Sequence, residues 1–141
     1  MNLKFLITTI LFLFCVTNIQ GQKNVLFDLS HGQCQGRSYL GDVIPDYQQM
    51  VEENNASFII NQDKPLTEKT LKGIDVVLML SPLQHNLQKN ITPEEAKALI
   101  KFIKKGGSLL VFVDEESHRV LLKEYNINAV TTPFGIEYGY D

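Results

Sequence analysis

The chain has three histidines, and each follows an apolar run: His31 after Asn24 to Leu29, His85 after Ile74 to Leu80, and His118 after Ser108 to Val113. Around His31 stand Asp28, Ser30, Gly32 and Gln33; around His85 stand Ser81, Gln84 and Asn86; before His118 come Asp114, Glu115 and Glu116. An imidazole beside carboxylates can pass a proton, or hold a divalent ion through its neutral ring. Asp28, His31 and His85 are therefore the candidate catalytic residues, with Asp28 and Asp114 a candidate acid/base pair. Ser30, His31, Gln33, Ser81, His85, Asn86, Asp114 and Glu115 are the candidate ligand-binding set. His31 and His85 with Asp114 or Glu115 have the right atoms for zinc. None of them forms a close H-x-H or H-E-x-x-H pair, so neither a metal nor any other cofactor is assigned. Aspartates at strand ends also commonly cap the following turn.

Gly32-Gln-Cys34-Gln-Gly36 has the outline of a nucleophile elbow, in which glycines permit a tight turn that exposes a thiol. Its place after the first strand, in a long polar stretch, argues against that role. A pattern of three fixed residues also arises easily by chance.

These polar segments need elements to bring them together. Asn24 to Leu29 and Ile74 to Leu80 are apolar runs suited to strands buried on both faces, as is Ser108 to Val113; Ser57 to Ile60 is a shorter strand. Between them, Tyr47, Met50 and Val51 recur at helical spacing over Pro45 to Glu53. Thr67 to Lys72 reads as a short helix stopped by Gly73. Thr92, Pro93 and Glu95 spell a capping box with proline at the first helical position. In the helix they open, Ala96, Leu99, Ile100, Phe102 and Ile103 form one stripe opposite Lys97, Lys101, Lys104 and Lys105, and Gly106-Gly107 ends it. Glu115 to Tyr125 reads as a further helix and Asn128 to Thr131 as a short fifth strand. Strands alternating with helices imply right-handed crossovers and a parallel sheet with helices on both faces. The expected fold is α/β, a flavodoxin-like sheet of about five strands in the order 2-1-3-4-5. In such a sheet ligands bind beyond the carboxyl ends of the strands, where the three histidine-bearing loops would meet.

Residues 1–21 have a basic start, an apolar run from Phe5 to Val16 and a small residue at Gly21, the pattern of a cleavable signal peptide. That run is shorter than the roughly 20 residues needed to span a bilayer, so no stable membrane span is expected after cleavage. Residues 22–141 then form one domain, destined for the periplasm or the cell exterior. Cleavage removes Cys15 and leaves Cys34 the sole thiol, so no internal disulfide is expected and apolar burial must stabilise the fold. The net charge of −3 becomes −4 without Lys4, and no lysine or arginine block lies on an aromatic background. Nucleic acid is therefore not an expected partner.

Val25 to Gly32, Asp75 to Pro82, Thr92 to Glu95 and Gly106 to Val113 resemble the class I glutamine amidotransferase-like superfamily, nearest to its ThuA-like and exported branches. The resemblance runs from about Asn24 to Ile136. It places the family's nucleophilic cysteine after the strand ending at Val113, where this chain has Asp114-Glu-Glu116. The downstream His and Glu pair has no counterpart, so glutaminase activity is not implied. Exported relatives often accompany bacterial polysaccharide degradation, which implies a carbohydrate setting. The expected function is a non-catalytic binding or accessory domain holding a small polar ligand, a sugar, or a partner protein. The alternative is a hydrolase working through an Asp/His or metal site. The residues lean towards binding.

Overall fold

The computed structural model describes residues 21–33, 39–80, 89–112 and 122–139. The expected signal peptide, Cys34, His85 and the loop after Phe112 lie outside them. Among the described residues no helix is long and apolar enough to cross a membrane.

Four strands form one sheet: β1 (Lys23–Asp28), β2 (Ala56–Asn61), β3 (Val76–Leu80) and β4 (Ser108–Phe112). Their order is β2-β1-β3-β4 and every pairing is parallel. The chain thus reverses direction across the sheet between β1 and β3, as expected for the first four strands. The register sets Asp28, the last residue of β1, beside Asn61 on β2 and Met79 on β3.

Alternate strand residues point to opposite faces, and the buried apolar residues of β1 and β3 find cover on each. Leu26, Val77 and Met79 pack with Leu99 and Phe102 of α2 (Pro93–Lys104) and with Ile127 and Val130. Phe27, Leu29, Leu78 and Leu80 pack instead with Ile44 and Tyr47 of α1 (Tyr39–Glu53) and with Phe58. Phe27 lies 5.7 Å, centroid to centroid, from both Tyr47 and Phe58.

Several expected elements differ in detail. α1 begins at Tyr39, so Pro45 sits inside the helix, where it removes one backbone hydrogen bond. Met50 is exposed rather than part of its buried face. Thr67 to Lys72 is a series of turns rather than a helix, with Leu71 N donating to the Thr67 carbonyl and Gly73 left-handed at φ 78°.

The expected fifth strand is a correction. Leu122–Tyr125 forms a short helix, α3, and Asn128–Thr131 forms another, α4, followed by a 3₁₀ turn at Thr132–Phe134. Ile127, Val130 and Thr131 stand at helical spacing and all are buried, so burying one helical side outweighs the β-branched content of so short a run. Among the described residues β4 is in consequence the last strand of the sheet. It was expected to be buried on both faces, yet only Leu109 and Val111 turn into the core, leaving Leu110 and Phe112 at 43% and 52% exposure.

α2 starts and ends as its sequence implies. The Thr92 hydroxyl accepts from Glu95 N, the Glu95 carboxylate accepts from Thr92 N, and Pro93 opens the first turn. After Gly106, at φ 97°, the chain turns back into β4 beneath the Phe102 ring. A Cβ on Gly107 would lie 2.3 Å from that ring. Because Phe102 is held in the core, Gly107→Ala should destabilise the domain by about 1–3 kcal/mol, the usual cost of overpacking. Urea denaturation should detect this as a lower midpoint with an unchanged slope.

Candidate functional site

β1 ends by driving a carboxylate into the protein interior. Asp28 is wholly buried, and such a charge is tolerated only when its oxygens are satisfied. The residues that follow do this. The Ser30 hydroxyl donates to Oδ1 at 2.9 Å, His31 Nδ1 approaches Oδ2 at 2.7 Å, and Gln33 Nε2 donates to Oδ2 at 3.2 Å. The fourth partner comes from the neighbouring strand: Asn61 Nδ2 donates to Oδ1 at 2.7 Å. Asn61 is held in turn by the backbone of Lys64, and its own carbonyl accepts from Leu29 N.

The short bond to Asp28 assigns the Nδ1 proton to His31, because a carboxylate can only accept. The backbone amide of His31 donates to Gln33 Oε1 at 3.0 Å, and Gln33 Nε2 reaches the Tyr125 hydroxyl at 3.2 Å. Tyr125 also sets its ring edge-on to the imidazole, with centroids 5.9 Å apart. Burial pushes the Tyr125 phenol well above its ordinary range, and the nearby Asp28 and Glu95 charges add to that, so it stays neutral.

The other side of the imidazole faces α2. His31 Nε2 lies 3.5 Å from Glu95 Oε2, with no hydrogen-bond partner among the described residues. Glu95 is the capping-box residue, and it is buried. Its Oε2 accepts from Thr92 N at 3.0 Å and from the Thr92 hydroxyl at 2.9 Å, and its Oε1 accepts from Leu66 N at 3.1 Å. Lys89 Nζ stands 3.7 Å from Oε1. Burial pushes the Glu95 carboxyl upward, but the Thr92 and Leu66 bonds and the His31 ring outweigh it, leaving the carboxyl below its ordinary range.

The result is an interior line of carboxylate, imidazole and carboxylate that fastens the end of β1 to β2, to the start of α2 and to α3. Asp28 orients one ring nitrogen of His31, as an acid would orient a catalytic base. The other nitrogen faces a second carboxylate instead of solvent, and the ring itself is fully buried. Among the described residues no group of three or more His, Cys, Asp or Glu could hold a metal ion.

Of the expected site residues, the structure gathers Asp28, Ser30, His31 and Gln33 into this cluster. Ser81, His85, Asn86, Asp114 and Glu115 lie outside the described residues. Three members were not expected. Asn61 ends β2 as Asp28 ends β1, a parallel that becomes a signal once the two strands are known to be neighbours. Glu95 was visible as a cap but not as a partner of His31. Tyr125 carries no local signal. No protein-family model, no curated protein and no solved structure matches the chain.

Because the folded state holds Glu95 below its ordinary value of 4.5, the stability it contributes is complete above that pH and is lost as pH falls through the folded value. Glu95→Gln should therefore be least stable relative to the wild type near neutrality, and the gap should close on acidification. Denaturant midpoints of both proteins between about pH 3 and 7 measure this.

Proposed function

We propose that this chain is an exported, non-catalytic binding or accessory domain, related to the glutamine amidotransferase-like superfamily, that takes a small polar ligand at the carboxyl-end rim of its sheet. The observation that carries this reading is the burial of Asp28 and His31. These residues come nearest to acid/base machinery, and both are committed to internal partners, so their polarity serves to position the rim rather than to meet a substrate. The resemblance to exported relatives supplies the carbohydrate setting, and Ser81, His85, Asn86, Asp114 and Glu115 are the candidate residues that would touch a sugar. A parallel sheet that reverses direction between β1 and β3 supports this location, since that crevice is where such sheets place ligands.

Isothermal titration against uronic acid oligosaccharides and neutral sugars tests the proposal. Measurable binding to one class, weakened by His85→Ala or Asn86→Ala, is the expected outcome. Absence of binding to every sugar in the panel would remove the carbohydrate reading.

One observation favours a second reading, a hydrolase acting through Asp28, His31 and His85: the Nε2 of His31 has no hydrogen-bond partner among the described residues. Its nearest charged neighbour is Glu95 Oε2 at 3.5 Å, and in this reading that nitrogen takes up the proton. Elemental analysis, with turnover of the same sugars measured with and without chelator, separates the two. Turnover that is lost in His31→Gln, while that variant keeps its fold, would favour the enzyme.

A further inference from the structure

A groove of about 570 Å³, a size suited to a small molecule, runs beside β2 and the turns that follow it. Its floor is aliphatic. Leu26 is buried and Ile74 half-buried, while Ile59 and Ile60 are 38% and 39% exposed. No aromatic ring lines it among the described residues, so it offers no flat surface on which a ring would stack.

Lys64, Lys69 and Lys72 stand around this floor, all exposed. Among the described residues none of the three makes an ion pair, and no carboxylate lines the groove. The acids of the same stretch are Asp63 and Glu68, and Glu68 is paired instead with Lys101 at 2.7 Å. Residues 1–20, which lead towards β1, are largely apolar and contain neither Asp nor Glu. They have the composition to meet the isoleucines but not the lysines. Of the acids outside the described side chains, Asp42 is on α1, which packs on the Phe27 face, whereas Leu26 and Ile74 belong to the face that meets α2. Asp114 to Glu116 directly follow β4, which β1 and β3 separate from β2. Asp141 comes shortly after Tyr138, which lines a groove with Leu109 and Val111 of β4.

We propose that this groove binds a medium-chain fatty acid, its alkyl chain along Leu26, Ile59, Ile60 and Ile74 and its carboxylate among the three lysines. An aliphatic floor gains from a flexible chain by burial alone, and ammonium groups without a partner attract an anion with no ion pair to break first. The groove shares no residue with the candidate sugar site, so failure of the sugar titration would leave this proposal standing, and the reverse holds as well.

Isothermal titration with octanoate, decanoate and dodecanoate, each below its micelle concentration, tests it. Affinity should rise about two- to fourfold per added methylene, the change that methylene burial brings, and decanol should bind at least about tenfold more weakly than decanoate. The triple variant Lys64→Ala, Lys69→Ala, Lys72→Ala should bind decanoate at least about tenfold more weakly. Lys97→Ala with Lys104→Ala, on the exposed side of α2, should bind it as the wild type does. If the triple variant folds poorly, Lys69→Glu with Lys72→Glu provides the same reading. Decanol binding as tightly as decanoate would overturn the proposal. So would equal losses in the groove and α2 variants, wild-type affinity in the triple variant, or no binding of any of the three acids.

Discussion

The architecture depends on one requirement: the carboxylate of Asp28, carried inside by a strand that is otherwise apolar, must be neutralised by hydrogen bonds. Leaving a charge of this kind unpaired in the interior costs several kcal/mol, a large share of the stability of an ordinary domain. Satisfying it takes a hydroxyl, an imidazole and an amide from the loop after β1 together with the Asn61 amide from the next strand. Among the described residues Asp28, Ser30, His31, Gln33 and Asn61 are thus drawn inward, and their polar groups bond to one another.

Glu95 extends the same logic to the helix layer. A capping box satisfies orphan amides at a helix start and is normally a surface device. Here its glutamate is buried, and that carboxylate also accepts from Leu66 N and approaches His31. The start of α2 is thereby tied to the strand layer by polar contacts as well as by the packing of Leu99 and Phe102. The helix cannot shift along its axis without disturbing the Asp28 cluster.

Much of the scaffold was legible because its signals are local. β3 is an unbroken apolar run behind a glycine, and α2 announces both of its ends. The order of the first four strands followed from alternation of strand and helix. What was not legible depends on distance or on neighbours. Asn128 to Thr131 is too short for its period to be read, and the buried partners of its helical form come from elsewhere in the chain. Ser108 to Phe112 has the composition of an interior strand, and its exposed face follows only from its place at the end of the sheet. Tyr125 joins the cluster through a residue 92 positions earlier, a relation no local pattern carries. The polarity of the loop around His31 is visible in the sequence, but the inward direction of Asp28, Ser30, His31 and Gln33 is set by packing.

The line of Asp28, His31 and Glu95 also constrains how the sequence can drift. Losing one member alone strands the others in a medium of low polarity, whereas exchanging the whole group for apolar residues of similar volume can be close to neutral. Descendants of this chain are therefore expected to keep the trio intact or to abandon it together, with few stable intermediates between. A set of related sequences that divides into those two kinds would carry the mark of this interior wiring.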